Sequence, residues 1–291
     1  MISAGKASNV MESSSIIRIR FKSLPLTLSG LTDYRPQASS GYGTRMLDHA
    51  YLIHSIYGPQ VQPFRLALSQ NEVWRFLDMP DPLVLELFLI QYCALGVAMT
   101  EPVEGWIRRA GERCQELGYA DVAAFLVSHA NQEKDHHLSF VDDTRCLVNQ
   151  WNAKHDRQLN AERLLSQSLT DGVLKYHALH EASISSDAPY CQLAIEFEIE
   201  RLSITYGAAA ITKIARVLGP EAIKGLRFLE NRVQEGIRHT SMIECQLNQL
   251  LHDVPMALSG LTQTARMALK AYGEYLGDCL ALASEEAIKN R

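Results

Sequence analysis

The segment HANQEKDHH, residues 129–137, places a carboxylate and an imidazole three residues apart, at Glu133 and His136. A second pair, Glu235 and His239, has a spacing of four residues farther along the chain. Both segments show the apolar periodicity of helices, on which residues three or four positions apart share a face. Each pair can therefore present one oxygen and one nitrogen ligand to the same ion.

A third helical segment, EFEIE, begins at Glu196 and lies between these two pairs. Glu196 and Glu200 share a helix face and are alternative bridging carboxylates. Glu198 lies nearly opposite, where it is expected to pair with Arg201 or Arg238. Mixed carboxylate and imidazole ligands suit iron or manganese. The three segments together predict a dinuclear site with the ligands Glu133, His136, Glu196, Glu200, Glu235 and His239.

Neither acid/histidine pair is informative alone, because roughly one Glu-x-x-His pair is expected by chance in a chain of this composition. A solvated polar patch is the simplest alternative for each pair. An additional carboxylate ligand is expected at Glu101, beside the helix break at Pro102, with Glu104 and Glu86 as its rivals. The constellation as a whole carries the prediction.

The composition of the 291-residue chain argues against several other functions. The net charge is −5 and no Lys/Arg cluster stands out, so nucleic-acid binding is not expected. The richest apolar run, residues 83–99, contains Glu86 and Gln91 and is too short to predict a membrane span. The six cysteines are scattered and predict reduced thiols, and the location expected from these features is cytoplasmic.

Residues 1–45 are rich in Ser, Gly, Pro and Arg and predict an irregular arm, in which residues 16–21 alone alternate like a strand. Residues 46–291 predict one all-α bundle of about seven or eight helices. One of these helices is expected to run from residue 121 to 152, and another to start at Asp187 as the N-cap before Pro189. The expected breaks are at Gly58-Pro59, Met79-Pro80, Gly118, Asp156, residues 185–189, Gly219-Pro220 and Val254-Pro255.

The order of these motifs resembles that of the haem-oxygenase-like diiron oxidases. A Glu-x-x-His pair, a lone Glu about 60 residues later and an acid-x-x-x-His pair follow one another in the chain. The spacing is similar to that of the type that decarboxylates fatty acids to terminal alkenes, and the resemblance covers residues 83–251. The chain differs in having Glu235 where an aspartate is common, and Arg232 where some relatives have another histidine.

The resemblance implies a haem-oxygenase-like helical bundle without haem, with two Fe(II) ions as cofactor and dioxygen as co-substrate. It also implies oxidation of a small amino or carboxylic acid, by N-oxygenation, desaturation or carbon–carbon cleavage. A second copy of the chain and an external electron donor are the expected protein partners. Arg201 or Arg238 would hold a substrate carboxylate, and Tyr92, Trp106 or Tyr206 would line the pocket.

Three other functions compete with this interpretation. A ferritin-like diiron enzyme is expected to carry two Glu-x-x-His pairs, and this chain has one in helical context. A metal-free relative of thiaminases or quinone-cofactor synthases would need a nucleophile, for which Cys93 or Cys146 is the candidate. An interaction module would leave the acid/histidine pairs exposed. His177, His180 and Glu181 form a further polar cluster, for which a surface position is favoured over a substrate pocket.

Overall fold

The computed structural model describes residues 52–291, in which every regular element is helical. The α-helices are α1 Gly58–Ser69, α2 Glu72–Asp78, α3 Pro82–Thr100, α4 Val103–Glu116, α5 Ala120–Glu133, α6 His137–Asn152, α7 Ala161–Leu165, α8 Asp171–Ser185, α9 Gln192–Leu202, α10 Ala208–Leu218, α11 Arg227–Asp253 and α12 Ala257–Lys289. A π turn at Ser203–Gly207 joins α9 to α10. If α9, the π turn and α10 are counted as one helix, the described range contains eleven helices, a few more than the seven or eight expected. The arm predicted for residues 1–45 lies outside it.

Helix α3 forms the centre of the bundle. Asp81 caps its first turn by accepting hydrogen bonds from the N–H groups of Leu83 and Val84 at 2.9 and 3.2 Å, and Pro82 occupies the first helical position. Most side chains of α3 are buried, because α6 and α12 pack along it. The stretch Pro82–Glu116 is long and apolar enough to cross a membrane, but 67% of its most apolar window is buried within the fold.

Helix α12 packs against α3, α8 and α9, and α11 packs against α9. Helices α8 and α12 approach each other closely at Gly172, where a Cβ atom would lie 2.3 Å from the backbone nitrogen of Tyr275. The N–H group of Gly172 also donates a 2.8 Å hydrogen bond to Oδ2 of Asp278. The absence of a side chain at position 172 therefore sets the spacing between α8 and α12.

Replacing Gly172 by alanine is expected to lower the free energy of unfolding by about 3 kcal/mol, because the new methyl group would force two helix backbones apart. The control is Gly105→Ala on α4, where a Cβ atom would meet nothing within 4 Å. That substitution should raise stability by about 0.5–1 kcal/mol. Urea unfolding of both variants checks this, and equal effects at the two positions would contradict the helix packing.

The single helix expected over residues 121–152 is wrong, since α5 ends at Glu133 and α6 begins at His137. Lys134 is extended and Asp135 has a positive φ of 63°, a left-handed conformation that Asp tolerates better than most residues. The polar run carries no apolar side chain that would hold this turn against the core. Glu133 and His136 therefore belong to the end of one helix and the start of the next.

Most of the other predicted helix boundaries are confirmed, including Gly219, whose φ of 85° ends α10. Gly58-Pro59 is not a break, because a π turn at Ile53–Tyr57 leads directly into α1 and leaves Pro59 in its first turn. The N-cap expected at Asp187 is also wrong. A 3₁₀ turn, Pro189–Cys191, precedes α9, and no side chain caps its start.

Candidate metal centre

Helices α5, α9 and α11 bring a cluster of acidic and histidine side chains into the interior. Four of the residues predicted as ligands meet there, and each is at most 6% exposed: Glu133, Glu196, Glu200 and His239. Such burial of three carboxylates is costly unless cations or hydrogen-bond donors compensate their charge. The predicted convergence of these three segments is therefore seen in the fold.

His129 is the histidine that best completes a metal site with Glu133 and His239. It lies one turn before Glu133 on α5 and is 2% exposed. Its Nε2 atom is buried without a hydrogen-bond partner and lies 3.9 Å from Oε2 of Glu196. One ligand atom from each of His129, Glu133 and His239 lies within 4.8 Å of the others. This group of side chains, His129, Glu133 and His239, is called the ligand triad below.

Sequence reasoning missed His129 because it paired Glu133 with the histidine three residues after it. The histidine four residues before Glu133 satisfies the same rule of helix periodicity and stands in the same segment. No glycine or proline marks the break after Glu133, and this break takes His136 off the helix face that carries Glu133.

Arg232 on α11 occupies the middle of the cluster. Its Nη1 atom donates to Oε1 of Glu200 at 2.6 Å and to Oε1 of Glu133 at 3.1 Å, and its Nη2 atom donates to Oε2 of Glu133. The guanidinium carbon also lies 5.3 Å from the centre of the Phe228 ring. Arg232 therefore supplies the positive charge that allows Glu133 and Glu200 to be buried.

Burial and the neighbouring charges shift the pKa values of the cluster's side chains in different directions. Burial opposes ionisation of Glu133, but Arg232 and the hydrogen bond from His136 outweigh it and hold the pKa of Glu133 below its ordinary value. Burial and the charge of Glu133 raise the pKa of Glu196 to about 8. Burial lowers the pKa of His129, so its imidazole is held neutral, the form that binds metal ions.

His136 lies at the outer side of the cluster, with 28% of its side chain exposed. Its Nδ1 atom is 2.9 Å from Oε2 of Glu133 and 3.0 Å from Nη2 of Arg232, so it contacts both members of the buried ion pair. This position places the predicted ligand His136 beside Arg232 and outside the ligand triad.

His239 faces the carboxylates through Nδ1, which lies 3.5 Å from Oε1 of Glu133 and 3.4 Å from Oε1 of Glu200. Its Nε2 atom is 3.0 Å from Nη2 of the exposed Arg238. Arg238 therefore contacts a candidate ligand from outside, although it was expected to hold substrate. Glu235 lies one turn before His239 on α11, and its side chain is outside the described part of the structure.

A cavity that is open to solvent on one side borders the cluster. It is lined by Glu133, Glu196, Glu200 and Arg232 together with Met99, Thr100, Val103, Phe140, Tyr176, Ile199, Ser203, Phe228, Tyr272 and Tyr275. A second cavity shares Ser203 and Tyr272 with the first and is lined mainly by apolar side chains, including Tyr92 and Tyr206. The two cavities therefore adjoin, with the charged groups at one end.

The additional carboxylate expected at Glu101 is wrong, because Glu101 is exposed at the end of α3 and does not line the cavity. Its rivals are also occupied elsewhere. Glu104 accepts a 2.5 Å hydrogen bond from Arg108 on the same helix, and Glu86 pairs with Lys154 and His155 at 3.0 Å each. Thr100 and Val103, which flank Glu101 and Pro102 in the sequence, line the cavity instead.

Two substrate contacts expected from the sequence also lie elsewhere. The guanidinium carbon of Arg201 lies 5.5 Å from the centre of the Phe197 ring, and Trp106 is buried against His180 on α8. Neither residue lines either of the two cavities described above. Glu198 is bound by Arg65 at 2.7 and 2.8 Å and by the hydroxyl of Tyr57 at 3.0 Å, in place of the expected Arg201 or Arg238. The far face of α9 is therefore structural.

His180 is fully buried, contrary to the surface position expected for its cluster. Its ring stacks on Trp106 with 4.2 Å between centroids, and Gln192 donates a 2.8 Å hydrogen bond to its Nδ1 atom. Gln192 also donates to Oε1 of Glu196 at 2.7 Å. His177 and Glu181 are less buried, and Glu181 pairs with Arg109 at the surface.

Burial lowers the pKa of His180 to about 3, below its ordinary value of 6.5. The unfolded chain then binds a proton at a pH where the folded chain does not, so stability is present above pH 6.5 and is lost as the pH falls. Between about pH 7.5 and pH 5 this group should cost about 2 kcal/mol of unfolding free energy. Urea unfolding of the wild type and His180→Phe at both pH values measures it, and an unchanged loss in the variant would contradict the assignment.

The donor set suits one divalent ion. The unpartnered Nε2 of His129 and the unpartnered, buried Oε2 of Glu200 are free to bind, and a neutral imidazole with carboxylates suits iron or manganese. A second ion in the cluster would have to displace Arg232, because Arg232 already binds both oxygens of Glu133 and one oxygen of Glu200. The two-iron expectation therefore stays a prediction that this geometry does not favour.

No protein-family model and no curated protein matches the chain. Among solved structures it is similar to a domain of unknown function with a haem oxygenase-like fold from Shewanella denitrificans OS217. The TM-score is 0.61 and the identity 15%, over 76% of this chain and 88% of that one. The predicted haem-oxygenase-like, all-α fold is thereby confirmed. Three buried carboxylates beside the cavity suit a divalent cation better than an anionic porphyrin.

Proposed function

We propose that the chain is a non-haem iron enzyme that uses dioxygen to oxidise a small carboxylic or amino acid. The observation that supports it most is the buried ligand triad, whose Glu133 lines a largely apolar cavity. Clustered, perturbed titratable groups beside a cavity mark a functional site more often than a structural one. The ligand types point to iron or manganese, and the resemblance in motif order points to oxygen chemistry.

The residues of the triad would hold the ion, and iron bound there would supply the activation of dioxygen. Glu196, with its raised pKa, holds a proton near neutrality in the metal-free state and is oriented by the hydrogen bond from Gln192. Arg232 keeps Glu133 ionised and fixed in position. The side chains of Phe140, Tyr176 and Phe228 line the same cavity and would reduce the contact of the bound ion with bulk water.

The shape of the cavity favours a carboxylic acid with an apolar chain over a polar amino acid. A substrate carboxylate would find positive charge at the polar end, from the ion and from Arg232, while its chain would lie along the second cavity. An external electron donor, a second copy of the chain and a cytoplasmic location stay predictions.

Anaerobic addition of Fe(II), removal of free metal and elemental analysis test the proposal first, and bound iron is the expected result. Oxygen consumption by the iron-loaded protein is then measured with straight-chain carboxylic acids and amino acids, beside a His129→Ala control. Consumption that depends on both an acid and His129 supports the proposal. A folded protein that retains no iron would overturn it, and iron oxidation unaffected by every acid would remove the substrate class.

Substrate length should be limited by the second cavity. Ala210 lines that cavity on α10, and Ala210→Phe would fill part of it. The variant is expected to bind long-chain acids at least about tenfold more weakly, because it displaces several buried methylene groups. Short-chain acids should bind as before. Equal affinity of the variant for both lengths, measured by calorimetry on iron-loaded protein, would show that the chain lies elsewhere.

The competing functions are less well supported. The confirmed fold differs from that of ferritin-like enzymes, and burial of Glu133 and Glu196 argues against an interaction module with exposed pairs. Cys93 is buried and its thiol pKa is raised well above the ordinary value by burial, which makes it a poor nucleophile for a metal-free enzyme. Cys146 is partly buried and does not line the cavities described.

A further inference from the structure

Arg232 is a buried cation beside the candidate metal site. It is 8% exposed, and its guanidinium bridges Glu133 of α5 and Glu200 of α9. These are carboxylates that could otherwise bridge two ions. Because a guanidinium is always protonated, this positive charge is permanent and cannot be removed by a change of pH.

We propose that the cluster binds one divalent metal ion, at the ligand triad, and that the Arg232 guanidinium takes the place of a second ion. This inference rests on the proposed metal-dependent function and concerns only the number of ions. The side chain acts as a fixed cation that orients Glu133 and Glu200 toward the single ion.

The charge of the cluster supports one ion. The described side chains include three buried carboxylates, Glu133, Glu196 and Glu200, and one buried cation, Arg232. With all three carboxylates ionised, one divalent ion gives a net charge of zero. Two divalent ions would leave an excess of two positive charges in a buried site, where uncompensated charge is costly.

The hydrogen bonds support the same count. Arg232 uses both oxygens of Glu133 and Oε1 of Glu200, whereas Oε2 of Glu200 and Nε2 of His129 have no partner. A Cβ atom on Gly236 would lie 3.4 Å from that Oε2 atom, so the missing side chain leaves this oxygen open space. Two buried ligand atoms are thus without a partner, while the guanidinium occupies the space between Glu133 and Glu200.

The test is metal counting with Mn(II) in four forms of the chain: wild type, Arg232→Met, Arg232→Lys and Arg232→His. Each is loaded with Mn(II), freed of excess metal and analysed for bound manganese and by electron paramagnetic resonance. We expect one ion in wild type and Arg232→Lys, and two spin-coupled ions in Arg232→Met and Arg232→His. Arg232→Lys keeps the positive charge but not the shape of the guanidinium, so it shows whether the charge alone excludes a second ion. Arg227→Met, at the exposed start of the same helix, is the control and should bind one ion.

The outcomes distinguish this inference from the proposed function. Two ions in the wild type would overturn the inference and leave a metal-dependent function intact. One ion in wild type and in both neutral variants would also overturn it, because Arg232 would then not exclude a second ion. No bound manganese or iron in a folded wild type would overturn the proposed function itself. If Arg232→Met does not fold, the count in Arg232→His decides, since histidine supplies a neutral ligand.

Discussion

Replacing His129 by alanine is expected to lower the affinity for Fe(II) by more than about 100-fold, beyond the loss typical of an outer hydrogen-bonding partner. His129 supplies a neutral, buried Nε2 atom with no other partner, so its removal takes away a ligand without freeing a substitute. Anaerobic Fe(II) titration gives the affinity, and circular dichroism checks that the helices remain.

His136→Ala and His54→Ala are matched controls for that measurement. His136 contacts Glu133 and Arg232 at the outer side of the cluster, so its loss should weaken binding only moderately. His54 is 68% exposed and pairs with Glu244 at the surface, so its loss should have no effect. If His136→Ala weakens binding more than His129→Ala does, the ligand assigned from the sequence is right and the triad is wrong.

Replacing Arg232 by methionine is expected to lower the unfolding free energy of the metal-free protein by about 3–5 kcal/mol, because it leaves two buried carboxylates without their cation. A divalent ion should restore much of this stability, since bound metal replaces the lost charge. Thermal unfolding with and without Mn(II) measures both effects.

The control for this substitution is Arg227→Met, which removes an exposed positive charge from the same helix and should change stability by no more than about 0.5 kcal/mol. The rise in melting temperature on adding Mn(II) should be larger for Arg232→Met than for the wild type. If the metal-free variant is as stable as the wild type, Arg232 does not compensate the buried carboxylates as described.

The helical class and the convergence of three segments could be predicted because they follow from local rules. Apolar periodicity places Glu133, Glu196 and His239 on helices, and each proved to face the interior. Glycine and proline mark most of the boundaries between helices, as at Gly219. These features depend on a few neighbouring residues and are therefore present in the sequence.

The remaining features depend on contacts between distant segments. The choice between His129 and His136 was decided by the turn at Asp135, whose positive φ is not encoded by a glycine. The role of Arg232 depends on its contacts with Glu133, 99 residues away in the sequence, and with Glu200, 32 residues away. Sequence patterns over a few residues do not predict such contacts. A charged side chain in an amphipathic helix is normally solvated, so its sequence context alone predicts exposure.

An anomalous difference map at the iron absorption edge, from crystals grown with Fe(II) in the absence of oxygen, tests the central claim most directly. The account predicts one peak in contact with His129, Glu133 and His239, with the Arg232 guanidinium still bound to Glu133 and Glu200. Two peaks would contradict the assignment of Arg232. The absence of any peak at the triad would contradict the proposal that this chain is a metal-dependent enzyme.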